Sequence, residues 1–142
     1  MIAYPVILTL DSNGTFIAQF PDVPEALTVG SDQADALYWA QDALVVALSG
    51  YLDDRRDIPQ PSKPKRGQKL VALPPLVALK LAIYQAMRDQ GLSQAELATR
   101  LKCDSRQVRR LLDLDHNSRL DLLAEALKAL GKRLVIEVAD AA

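Results

Sequence analysis

Two apolar runs, YPVILTL and TFIAQF, flank the polar positions Asp11, Ser12, Asn13 and Gly14. Asn-Gly between such runs predicts a β-hairpin, because both residues tolerate positive φ. PDVPEALTVG follows as a loop expected to run into a short strand near Leu27 to Val29. From Ser31 the period changes. In SDQADALYWAQDALVVALSGYLDD the residues Ala34, Leu37, Tyr38, Ala40, Ala43, Leu44, Ala47 and Leu48 recur at helical spacing, which predicts a long helix capped by Ser31. The next stretch, DIPQPSKPKRGQKLVALPP, holds five of the eight prolines and a basic cluster. It reads as a linker with one short strand, Lys69 to Leu73, inside it.

Helical periodicity dominates the remainder. Pro75 opens the apolar PLVALKLAIYQAMRDQ, which stops at Gly91. LSQAELATRLKCDSRQVRRLLD then carries two helix starts within a dozen residues. Ser93 with Glu96 is a capping box, and Leu92 with Leu97 a hydrophobic staple. Asp104 with Gln107, and Cys103 with Val108, repeat that grammar. The first helix turns Leu97, Ala98 and Leu101 inward, and the second turns Val108, Leu111 and Leu112 inward. A fourth helix is expected from a Ser118 cap through Leu120, Leu123, Ala126, Leu127 and Leu130 to Gly131. The closing RLVIEV alternates like a half-buried strand. The pattern predicts an α+β chain: a ββ(β)αβ domain over residues 1–60 with the strand at 69–73, a linker over 61–74, and an all-α domain over 75–142 ending in a short strand.

The second of the paired helices leaves Arg106, Arg109, Arg110 and Asp113 outward, spaced to share one face. Charge gives that face a context. Residues 1–60 hold nine Asp or Glu against two arginines, a net of −7, and residues 61–142 hold fifteen Lys or Arg against nine acids, a net of +6. The formal total of −1 therefore hides a bipolar chain. A basic module suits a phosphate backbone and an acidic one suits a basic partner, although an ordinary helical hairpin with a solvated arginine face has the same pattern.

Other chemistry finds little support. Two-metal phosphodiester cleavage needs converging carboxylates, yet the first strand, Ile2 to Leu10, contains no acid, and Asp22 and Glu25 fall in a Pro-flanked loop. His116 is the only histidine and has no Cys or His nearby to complete a metal set. Cys103, the only cysteine, reads as a staple residue. No enzyme activity, metal or cofactor is expected. MIAYPVILTLDSNG lacks the basic start of a secretory signal, and no apolar run approaches the roughly 18 to 20 residues of a membrane span. A cytoplasmic protein with no membrane partner is the simplest expectation.

Two resemblances add to this. The helix pair resembles the helix-turn-helix of the phage-repressor type through Gln94, Leu97, Ala98 and Val108, with Lys102 at a corner that usually holds Gly. That resemblance implies DNA contacts from Gln94, Lys102, Ser105, Arg106, Arg109 and Arg110 to double-stranded operator DNA, with self-association as a dimer or tetramer. The whole chain resembles the HicB-type antitoxin family through the hairpin, the phrase FPDVPEALTVGSDQADAL, the small-residue helix and the exit IPQPS. The family implies a degenerate ribonuclease-H-like N-terminal domain without nuclease activity, which blocks a HicA-type mRNA-cleaving toxin, and a C-terminal domain that represses its own operon. Asp22, Glu25, Asp32, Asp35 and Asp42 are the acids available to a basic toxin. Asp32 and Asp35 also suit a helix N-terminus on dipole grounds alone. A stand-alone helix-turn-helix repressor with an N-terminal sensing or oligomerisation domain is the alternative.

Overall fold

The computed structural model describes residues 2–141. In chain order its elements are β1 (Ala3–Leu10), β2 (Phe16–Phe20), β3 (Val23–Gly30), α1 (Gln33–Asp53), β4 (Lys69–Ala72), α2 (Pro75–Gln90), α3 (Gln94–Leu101), α4 (Ser105–Leu112) and α5 (Leu120–Ala129). The chain is α+β, in two compact units, residues 1–78 and 79–142. The division falls inside α2.

The first unit is a four-stranded sheet in the order β3-β2-β1-β4, antiparallel throughout, with α1 packed on it. At the first hairpin Gly14 takes a φ of 86°, and its amide donates to the Asp11 carbonyl at 3.0 Å. The third strand is longer than expected. Phe20 pairs with Val23 across a register shift, so most of the predicted loop is strand. Pro24 is tolerated there because β3 lies at the sheet edge, where a missing N–H breaks no ladder.

The long helix begins one residue later than the Ser31 cap predicts. Asp32 is its N-cap and accepts from the Asp35 amide at 2.8 Å, while Asp35 accepts from the Ser31 amide at 2.8 Å. Its buried face is Ala36, Ala40, Leu44, Leu48 and Tyr51. Ala34 and Tyr38, expected to pack, are exposed, and Tyr38 stands edge-to-face with Trp39 on the surface. The cause lies at Gly30, where an added Cβ would stand 2.2 Å from the Ala36 backbone nitrogen. Backbone meets backbone at that point, which sets which alanines turn inward.

The proline-rich stretch assigned to a linker is pinned to this first unit. The Tyr4 hydroxyl donates to the Pro59 carbonyl at 2.7 Å, Ser62 donates from both its amide and its hydroxyl to Asp22 at 2.9 Å, and Ile58 is buried. Burial, with Asp22 adding to it, pushes the Tyr4 phenol up to about 12, so this donor keeps its proton. The strap delivers β4 to the free side of β1, with Tyr4 opposite Val71.

In the second unit, α3 packs on both α4 and α5, and the core includes Leu81, Ile83, Met87, Leu97, Val108 and Leu123. The capping box at Ser93 and Glu96 is present in full; Asp104 accepts from the Gln107 amide at 3.0 Å. The fourth predicted helix starts differently, because Arg119, with no side-chain cap bond, is the N-cap of α5, and Ser118 is engaged elsewhere. Leu120, placed on the inward stripe, is half exposed. The C-terminal strand is also corrected. No strand forms over residues 133–141, where Val135, Ile136 and Val138 are exposed. A strand needs a neighbour for its N–H and C=O groups, and every strand described here belongs to the sheet of the other unit.

Candidate functional site

The geometry around α3 and α4 follows from the caps. Ser93 and Asp104 start the two helices eleven positions apart, and the chain turns between them at Lys102, in the left-handed region with φ 56° and ψ 44°. The Lys102 amide donates to the Thr99 carbonyl, and the Cys103 amide to the Ala98 carbonyl at 3.0 Å. With that corner set, Val108 and Leu111 of α4 are buried, and Arg106, Arg109 and Arg110 are exposed. Gln94 opens α3, Lys102 is the corner and Ser105 opens α4; all three are exposed. The six residues expected to contact DNA thus lie on the start of α3, the corner and α4, solvent-facing.

A groove of about 750 Å³ adjoins them, lined by Lys102 and Arg110, by Arg100, Arg119 and Lys128, and by apolar Leu122. His116 borders it in the turn after α4, where its amide donates to the Asp113 carbonyl at 3.1 Å. Burial pushes the Cys103 thiol up, with Asp104 adding to the effect, so it is poorly suited to be a nucleophile. Among the described residues no three His, Cys, Asp or Glu side chains gather as a metal set.

The five acids of the first unit are not gathered into one patch by their contacts. Asp22 is tied to Ser62. Asp32 and Asp35 form the start of α1. Glu25 accepts from the Tyr51 hydroxyl at 2.7 Å and pairs with Arg56 at 3.0 Å, while the Arg56 guanidinium stacks over the Tyr51 ring at 4.0 Å. The Tyr51 hydrogen bond, then a backbone hydrogen bond, and the Arg56 guanidinium hold the Glu25 carboxyl below its ordinary value. Asp42 is exposed on α1 and lines a second groove of about 590 Å³ with Tyr38, Trp39 and Leu70.

The comparisons with known proteins bear on both units. Residues 3–82 match the family described as the HicB_like antitoxin of bacterial toxin-antitoxin systems. The chain belongs to the HicB-like antitoxin family. Over 131 residues it is 42% identical to Antitoxin HicB 2 of Photorhabdus laumondii subsp. laumondii, covering 92% of each chain. It is 37% identical over 135 residues to Antitoxin HicB 1 of the same organism, covering 95% of this chain and 86% of that one. Antitoxin HicB of Escherichia coli (strain K12) is 37% identical over 131 residues, covering 92% and 95%. The matches to these relatives continue well past the family match into the helical unit. A HicB-like antitoxin is a regulatory protein and not an enzyme, and with that membership the stand-alone repressor loses its ground. No helix among the described residues of this antitoxin is long and apolar enough to cross a membrane.

Two residues of the HicB-like chain stand beside the candidate interface: one that its sequence did not single out and one that it offered only as a helix cap. Lys80 of α2 is the one charged side chain among the buried residues described, and Ser118 is bonded to it.

Proposed function

We propose that this antitoxin neutralises a HicA-type mRNA-cleaving toxin through its N-terminal unit and represses its own operon through a helix-turn-helix formed by α3 and α4. The observation that carries the DNA-binding part is the two-sidedness of α4, apolar residues buried and three arginines exposed beside a capped, stapled α3. A helix so placed enters the major groove with its N-terminal residues toward the bases while α3 crosses the phosphates. Arg106 and Arg110 read base edges, Arg109, Gln94 and Lys102 meet phosphates, and Ser105 contacts a base or phosphate at the start of the helix. The N-terminal unit has the degenerate ribonuclease-H-like role of a scaffold without nuclease activity. Asp22, Glu25, Asp32, Asp35 and Asp42 offer their solvent-facing oxygens to a basic toxin surface, since one internal bond leaves a carboxylate with further acceptor sites. The setting is cytoplasmic, and the chain works as an even-numbered oligomer, because helix-turn-helix repressors occupy paired half-sites.

Co-purification with any small basic protein found encoded beside it, and mobility-shift assays on its own promoter DNA, test the two activities separately. Arg106→Ala relaxes preference at one operator position, since a bidentate Arg–guanine pair gives about 1 to 3 kcal/mol of discrimination. Normal operator binding by a folded triple alanine variant at positions 106, 109 and 110 would overturn the assignment of α4.

A further inference from the structure

Lys80 lies in the middle of the apolar sequence LVALKLAIY and its side chain is fully buried. Its ammonium donates to three oxygens: the Arg110 carbonyl at 2.6 Å, the Asp113 carbonyl at 2.7 Å and the Ser118 hydroxyl at 2.8 Å. An ammonium has three protons, and all three are used. Two of the acceptors belong to the carbonyl end of α4, where the dipole is negative and helical pairing runs out; the Arg110 carbonyl also accepts from the Asp113 amide, at a longer 3.3 Å. The third, Ser118, turns its own hydroxyl toward the same Arg110 carbonyl at 3.3 Å, which ties the turn leading to α5 into the network.

Burying a charge there is poor economy for stability alone. Desolvation is costly, and a buried ionic group is often replaced by a well-packed apolar residue at no net loss. Burial indeed pushes the Lys80 amine down from its ordinary value, with the Asp113 carboxylate opposing that shift. What the ammonium supplies, and a leucine cannot, is direction.

α4 is only eight residues long and ends without a glycine, at an Asp113 with φ −85° and ψ 111°. So short a helix does not hold its own position. Asp104 anchors its start, and Val108 and Leu111 its underside. Lys80 grips its end, at the backbone of a residue whose side chain faces solvent.

We propose that Lys80 is a positioning residue for DNA recognition: from α2 its ammonium sets the pose of the C-terminal end of α4, and with it the reach of Arg110 and Arg106 toward base edges. This rests on the reading of α4 as the helix that enters the major groove. Base readout by a forked guanidinium tolerates little displacement, on the order of 0.5 Å, whereas phosphate contacts tolerate far more. Loss of the grip therefore lowers discrimination and leaves general DNA affinity in place.

Full-length chains carrying Lys80→Met or Ser118→Ala decide this, titrated by fluorescence anisotropy against a duplex from the DNA upstream of their own gene and a scrambled duplex of equal composition. Lys80→Met is expected to reduce the preference for the native duplex by about tenfold or more, with affinity for the scrambled duplex and its salt dependence unchanged. Arg106→Ala should then cost less in the Lys80→Met background than in the wild type, a coupling that mere destabilisation would not produce. Ser118→Ala, which removes one acceptor and keeps the charge, is expected to lose about two- to fivefold. A folded Lys80→Met variant with wild-type preference overturns the proposal. If circular dichroism finds that variant unfolded, Ser118→Ala decides, and unchanged preference overturns it equally. A wild-type chain that does not distinguish the two duplexes overturns the DNA reading itself and this inference with it.

Discussion

Lys102 holds a backbone conformation that costs an L-residue about 1 to 2 kcal/mol. Glycine escapes that cost but gives back about 0.5 to 1 kcal/mol in chain entropy. Lys102→Gly should therefore stabilise the helical unit by about 0.5 to 1 kcal/mol, read as a higher denaturation midpoint, and Lys102→Ala should not. Both remove a cation from the proposed phosphate contacts, so both should flatten the salt dependence of operator binding by a slope of about one. In the other unit Glu25 gives a signed pH effect. Its carboxyl is held below the reference value of 4.5, so its contribution to stability is complete above that value and is lost as pH falls through the lower, folded value. Glu25→Gln should remove this acid-side slope. Tyr51→Phe should raise the Glu25 pKa, since the Tyr51 hydrogen bond is the largest single cause of its depression, and Arg56→Ala should raise it too; carboxyl chemical shifts followed with pH check both.

Elements were legible where local chemistry alone decides them. The hairpin at Gly14, the capping box at Ser93 and the strand near Lys69 follow from residues a few positions apart, and the structure has all three. The inward face of α1 was not legible, because alanine and leucine surround that helix and the choice among them is made by Gly30, on another element. Lys80 was hidden for the same reason. Its acceptors lie about thirty residues or more away in the chain, and two of the three are backbone carbonyls that any residue type would supply. The segment 133–141 marks the opposite failure: its alternation is real, but nothing within its own unit pairs with it. Exposed Val135, Ile136 and Val138 make an apolar stretch of a kind that proteins normally cover. If a second copy covers it, deleting residues 132–142 should shift sedimentation toward monomer; an unchanged mass would sink that idea.

At the scale of the whole chain, the charge contrast narrows in the two compact units, to −3 over residues 1–78 (six Lys or Arg against nine acids) and +2 over 79–142 (eleven against nine), because the basic cluster of 63–69 belongs to the first unit; it is the separate cores that predict that neutralisation and repression can be cut apart. Residues 1–74 should hold the toxin without binding DNA. A cut at residue 60 should do worse, because it removes β4 and leaves β1 at an open edge. Residues 74–142 should bind operator more weakly than the intact protein, as one oligomer contact fewer lowers the effective concentration at the paired half-site. Pull-down and mobility shift on each fragment check this.

The burial of Lys80 also turns the molecule into its own clock. An acylating reagent reaches only those amines that water reaches, and Lys80 is sealed while α2 and α4 stay together. Its labelling should lag behind that of every surface lysine, at a rate set by how often the helical unit opens. Followed by peptide mass spectrometry with and without operator DNA, the acylation of this one amine would time the breathing of the unit, and a bound duplex should slow it.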